Sequence, residues 1–166
     1  MEYQYRNGTT DDLKKLQNLG LNSYAQFKDV LTADNWNTLN TALSAESFYL
    51  ELLSISTCFI CENDGEIVGM AYLIPNGNPT ELFDKDWSYI RMVGVDPHHT
   101  GNGIGKNLTQ MCIDKAKETG ERIIALHTSE FMDAARHIYK KLGFKKTKDL
   151  GSRLGKKYWI YQLELQ

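Results

Sequence analysis

Apolar and polar positions alternate with two different periods along this 166-residue chain, and the switches between them predict its elements. Residues 3–6, YQYR, alternate as a short first strand. The next stretch, TTDDLKKLQNLG, predicts a helix with Thr10 as N-cap, acids in the first turn and Gly20 as its end. Leu13, Leu16 and Leu19 share one face of it. From 34 to about 53 the pattern is helical again, with Trp36, Leu39, Leu43, Phe48, Leu50 and Leu52 as apolar surface. TCFICENDGEIVGMAYLIP predicts a hairpin, because two β-leaning runs flank the turn dipeptide Asp64-Gly65. After a loop through Pro75, Gly77 and Pro79, residues 87–95 form the next strand. A helix from 104 carries Ile104, Leu108, Met111, Cys112 and Ala116 on one stripe and closes at Gly120. RIIALHT is a nearly continuous apolar strand, the pattern of a strand covered on both faces. A further helix begins near Asp133, presents Ala135, Ile138, Tyr139 and Leu142, and ends at Gly143; KKYWIYQLEL alternates as a last strand. The order β-α-α-β-β-β-α-β-α-β predicts one α+β or mixed α/β domain over 1–166.

Composition narrows the function. Apolar residues make up 42% and the formal net charge is −2, an ordinary globular balance that argues against a nucleic-acid binder relying on phosphate neutralisation. No signal peptide is visible at the start, and no apolar run approaches the roughly 20 residues a membrane helix needs, so the expected partners include no membrane and the expected location is cytoplasmic. The three cysteines are read as reduced. Cys58 and Cys61 form a C-x-x-C, but it lies in a β-type run with no second ligand pair, so they are expected to act as small hydrophobes. His98 and His99 have no acid or cysteine at ligand spacing, and no metal is predicted.

The chemistry concentrates in VGVDPHHTGNGIGKNL, where Gly101, Gly103 and Gly105 alternate between a strand and a helix. The first amides of a helix lack internal partners and carry partial positive charge, so glycines there let main chain close on a phosphate or pyrophosphate. A P-loop is excluded at both ends, by Thr100 and by Asn107 after Gly105-Lys106; a dinucleotide fingerprint is excluded by Lys106 where its third glycine belongs. Together with AARHIYKKLGF about thirty residues on, the segment resembles the GNAT superfamily of acyl-CoA-dependent N-acyltransferases. Val95, Asp96 and Pro97 match its strand end, Gly103 and Gly105 its two small positions, and Ala135, Tyr139, Gly143 and Phe144 its later signature. The chain departs from the pattern at Thr100, where the family carries a basic or amide residue, and at Met132, where an asparagine is often found.

The resemblance implies a mixed, mostly antiparallel sheet with helices on both faces, and transfer of an acetyl group from acetyl-CoA to a primary amine. It implies a cofactor site at Val93, Gly94, Val95, Thr100, Gly101, Asn102, Gly103, Ile104, Gly105 and Lys106. The diphosphate would rest on main-chain amides of 101–106, the pantetheine arm would lie along 93–95, and the Val93 N–H would stand near the thioester oxygen. Tyr139 resembles the family's general acid; its other reading is a core aromatic. No cysteine sits where an acyl-enzyme would form, so direct transfer in a ternary complex is expected. No base is singled out among Glu81, Asp84, Asp86, His127 and a water relay. The acceptor, a small molecule or a peptide amine, should be chosen by residues 22–53, by the loop 75–86 and by the strand 87–91. Arg91 there is either a surface arginine or the partner of an acceptor carboxylate. A homodimer is left open. So are a non-catalytic acyl-CoA binding or sensing module and a nucleotide-phosphate binder.

Overall fold

A seven-stranded sheet organises the computed structural model, which describes residues 2–166. The strands are β1 (Gln4–Asn7), β2 (Thr57–Asn63), β3 (Glu66–Ile74), β4 (Ser88–Val95), β5 (Ile123–Ser129), β6 (Lys145–Arg153) and β7 (Lys156–Glu164). The helices are α1 (Leu13–Ala25), α2 (Ala33–Ser44), α3 (Glu46–Ile55), α4 (Ile104–Glu118) and α5 (Asp133–Lys141). The spatial order is β1-β2-β3-β4-β5-β7-β6, antiparallel throughout except where β4 meets β5. Two apolar layers follow from strand alternation. On one face Ala71, Ile90, Ile124 and Leu126 pack with Ile104, Leu108, Cys112 and Ala116 of α4 and with Tyr139 of α5. On the other, Met70, Tyr72, Tyr89 and Ala125 pack with Leu16 and Leu19 of α1 and Tyr49 and Leu52 of α3.

The expected mixed sheet with helices on both faces is thus present, with four differences in detail. Thr9, not Thr10, is the N-cap: its side chain accepts from the Asp11 amide while Asp12 accepts from the Thr9 amide at 2.8 Å, and a 3-10 turn leads into α1. Gly20 does not end α1, which runs on to Ala25, because the glycine is where buried Tyr49 of α3 presses against the helix. The long helical stretch 34–53 is two helices, broken at an extended Ala45 (φ −81°, ψ 116°). The break frees the Leu43 carbonyl, which accepts the Tyr49 hydroxyl at 2.8 Å. Finally, residues 145–153 form an additional strand. It is an edge strand, mostly exposed and rich in lysine, so it shows no apolar alternation.

Candidate active site

The site begins with an interrupted strand pair. β4 and β5 run parallel, but only Ser88↔Ile124 and Tyr89↔Ala125 are in register. Beyond Ala125, β5 keeps its antiparallel pairing with β7, while β4 stays with β3. The two strands therefore splay, and a wedge opens through the sheet. Within β4, Met92 and Val93 face no Cα partner on either neighbour, and the register with β3 slips between Met70 and Tyr72. This bulge holds Met92 at φ 54°, a left-handed conformation that costs a non-glycine residue about 1 kcal/mol or more. Strain of this kind re-aims the main chain on both sides of it, here at residues 92–94 along the wedge.

The glycine loop leads from the end of β4 into the first turn of α4. A short 3-10 turn at Pro97–His99 is capped by Asp96, whose Oδ1 accepts the His98 amide at 2.8 Å. Gly101 (φ +82°) and Gly103 (φ +79°) then take left-handed backbone, and an added Cβ at either would meet nothing within 4 Å; conformation, not crowding, requires glycine there. Gly103 is the N-cap of α4 and supplies no side-chain oxygen to its first amides. The loop's polar side chains turn elsewhere. Thr100 Oγ1 donates to the Pro97 carbonyl at 3.1 Å, and Asn102 Nδ2 donates to the His99 carbonyl at 3.0 Å. Lys106 is exposed beside this mouth. A Cβ on Gly105 would lie 3.4 Å from Ile138 of α5 and 3.7 Å from Val95 of β4, so the helix mouth, the strand end and α5 converge. Of the predicted cofactor residues, Val93–Val95 and Gly103–Lys106 come together around the wedge, whereas the side chains of Thr100 and Asn102 are committed to the loop itself.

Tyr139 is buried at 6% exposure, with its ring edge-on to Phe144 at 5.8 Å. Burial pushes its phenol well above the ordinary value, and the field of Tyr24 adds to this. Tyr24 lies on α1, across the sheet from α5, and the wedge is where the two faces meet. His127 of β5 sits on the α1 face between Phe83 (5.9 Å) and Tyr158 (5.9 Å). Burial, then the charges of Arg91 and Arg153, lower its pKa to about 4, so it is neutral at physiological pH. Among the described residues its buried Nδ1 has no hydrogen-bond partner.

The family model described as Acetyltransferase (GNAT) family matches residues 24–144. The chain belongs to the GNAT acetyltransferase family. Human N-acetyltransferase 8B is 33% identical over 97 residues, 58% of this chain and 42% of that protein. An uncharacterized N-acetyltransferase of Methanocaldococcus jannaschii is 30% identical over 145 residues, 86% of this chain and 60% of that one. The chain thus spans 42% and 60% of the lengths of these two curated relatives. Among solved structures, the PaiA N-acetyltransferase of Thermoplasma acidophilum in complex with coenzyme A superposes with a TM-score of 0.79 at 15% identity, covering 99% of both chains. That likeness shows the fold.

In this GNAT chain the α1 face of the wedge is lined by rings that its sequence scatters. Phe27 packs on Phe131 at 4.9 Å, Phe131 on Tyr158 at 6.2 Å, and Phe83 stacks on Tyr89 at 4.1 Å. Tyr24, Phe27 and Phe83 fall in the segments expected to choose the acceptor; Phe131 and Tyr158 do not, since single aromatics in a turn and an alternating strand read as ordinary packing. The C-x-x-C divides across the sheet, Cys58 in the α1 layer and Cys61 in the α4 layer, as residues three apart on a strand must. Burial raises the Cys58 thiol to about 12 and raises Cys61 and Cys112 too, so all three are thiols rather than thiolates. Among the described residues no group of three or more metal-ligating side chains is gathered, and no helix is long and apolar enough to cross a membrane.

Proposed function

We propose that residues 1–166 act as one N-acetyltransferase domain, in the cytoplasm, moving an acetyl group from acetyl-CoA to a primary amine by direct transfer in a ternary complex. The observation that carries this is an uncapped helix mouth whose Gly105 lies beside Val95, at the end of a strand that borders an open wedge. A diphosphate fits the first: main-chain donors, the positive end of a helix dipole and the exposed Lys106 favour an anion. An extended amide-bearing arm fits the second, alongside Val93, Gly94 and Val95.

The donor supplies a thioester carbonyl, electrophilic toward an amine. The main chain of Val93 would donate to its oxygen as negative charge develops there; one such donor typically contributes about 2.7–4 kcal/mol of barrier lowering. Tyr139 would give its proton to the sulfur as the C–S bond breaks and the new C–N bond forms. Its raised pKa keeps the phenol protonated, and the same low-dielectric setting makes an expelled thiolate more basic. β4 carries no carboxylate, and a His127 of pKa about 4 is too weak a base for an alkyl ammonium, so the amine's proton would leave through water to solvent.

The test is thermal melting with acetyl-CoA, coenzyme A, ATP and NAD, followed by thiol release over a panel of amines. Coenzyme A species should raise the melting temperature, since ligand at a hundred times its Kd stabilises the native state by about 2.7 kcal/mol. ATP and NAD should not, and thiol release should depend on an amine. Stabilisation by acetyl-CoA without release on any amine would instead mark a binding or sensing module.

A further inference from the structure

Among the described residues, one cation beside the wedge has no counterpart. Arg91 is half-buried on β4, on the face covered by α1 and α3. Its head lies over Phe48 of α3, the guanidinium carbon 5.6 Å from the ring centroid. Among the described residues it forms no ion pair and no side-chain hydrogen bond. The neighbours that feel its charge are the phenols of Tyr24 and Tyr89 and the imidazole of His127, none of them anionic at neutral pH. The second cation acting on this cleft, Arg153, is already bridged to Glu81 at 3.8 Å. A half-buried guanidinium packed beside an aromatic ring leaves its fork of donors open, and that planar fork matches a carboxylate.

Building on the acetyl-transfer reading, we propose that the acceptor is a small apolar amine carrying a carboxylate, and that Arg91 binds that carboxylate and sets specificity. Three features fix the class. Arg91 precedes Val93 by two residues, across the bulge at Met92, and so by at most about 7 Å of chain; the anion and the reacting nitrogen therefore belong to one molecule separated by a few bonds. The rings of Phe27, Phe131 and Tyr158 offer the rest of the acceptor an apolar wall. The tip of the β6–β7 hairpin closes the outer rim, with Arg153 on Glu81 and Gly155 so near α2 that a Cβ on it would be 2.9 Å from Asn35 Nδ2. A hairpin tip lying across this rim suits a small molecule rather than a peptide running through. A plain cationic amine would meet Arg91 as a like charge, which the acceptor's carboxylate offsets.

The experiment compares matched acceptors on the intact protein with acetyl-CoA: L-phenylalanine against 2-phenylethylamine, and L-leucine against 3-methylbutylamine. In the wild type kcat/KM should favour the acid of at least one pair by about tenfold or more, the loss expected when hydrogen bonds to a charged group are removed. Arg91→Gln should erase the preference, chiefly through a higher KM for the acid at similar kcat, and Arg91→Lys should recover part of it. An unchanged acetyl-CoA melting shift shows that both variants fold. If the neutral amines are acetylated as well as the acids, or if Arg91→Gln lowers both members of a pair alike, the proposal is overturned while acetyl transfer stands. If no amine is acetylated, titration of L-phenylalanine into the coenzyme A-loaded protein decides. Binding lost in Arg91→Gln upholds the carboxylate site and removes only the transferase reading; no binding to the wild type overturns the proposal.

Discussion

Replacing Gly20 with alanine pits intrinsic helix preference against packing. Gly20 lies inside α1, where alanine would ordinarily gain about 1 kcal/mol. An alanine Cβ at this backbone would stand 2.0 Å from the Tyr49 hydroxyl oxygen and 2.9 Å from its ring carbon Cζ. Tyr49 is fully buried and its hydroxyl donates to the Leu43 carbonyl at 2.8 Å, so it cannot swing aside without orphaning that pair. Overpacking costs about 1–3 kcal/mol, and a lost buried hydrogen bond adds about 1–3 more. Set against the helix gain, Gly20→Ala should destabilise the protein by about 1–5 kcal/mol. Urea unfolding followed by circular dichroism measures this, with Tyr49→Phe and the double variant completing a cycle. Removing the hydroxyl removes the nearest atom, so the double variant should be more stable than the two single losses predict, by about 1 kcal/mol or more. A Gly20→Ala protein more stable than wild type, with additive single effects, would refute the reasoning.

Other consequences can be measured separately. Gly103→Ala places a side chain in open space but at φ +79°, so it should cost about 1–2 kcal/mol in unfolding and weaken coenzyme A binding in titration calorimetry beyond what Gly77→Ala, another open left-handed glycine in the 75–87 loop, does. Tyr139→Phe should cut kcat for thiol release by about 100-fold while leaving the Kd for coenzyme A nearly unchanged; a variant turning over at the wild-type rate would make Tyr139 a packing residue only. His127 has a folded pKa of about 4 against an ordinary 6.5, so between those values the unfolded chain binds more protons and stability falls as the pH drops. The fall from pH 7 to below pH 4 should approach about 3 kcal/mol for this group, and His127→Gln should flatten the slope of unfolding free energy between pH 6.5 and 4.

The hairpin at Asp64-Gly65, the α4 stripe and the strand before the glycine loop were legible because each signal is local: a turn dipeptide, a 3.6-residue period, an apolar run. The break at Ala45 was not, since no glycine or proline marks it and its support, the Tyr49 hydroxyl on the Leu43 carbonyl, comes from the following helix. β6 was hidden for the opposite reason: Lys145, Lys146 and Lys148 line an exposed edge that buries nothing and so leaves no pattern. The glycine loop was read from sequence, but the wedge depends on β5 leaving β4 after two register pairs, which no stretch of residues encodes alone. The aromatic wall likewise joins the turn after α1, the 75–87 loop, the turn before α5 and β7.

The central claim is that main-chain amides at the start of α4 hold the diphosphate of coenzyme A. Backbone 15N–1H spectra recorded with coenzyme A and with pantetheine, which lacks the diphosphate, test it residue by residue. The amide signals of Gly103, Ile104, Gly105 and Lys106 should shift strongly with coenzyme A and hardly at all with pantetheine, while those near Val93 respond to both. If saturating coenzyme A moves signals elsewhere and leaves the first turn of α4 in place, the account is contradicted.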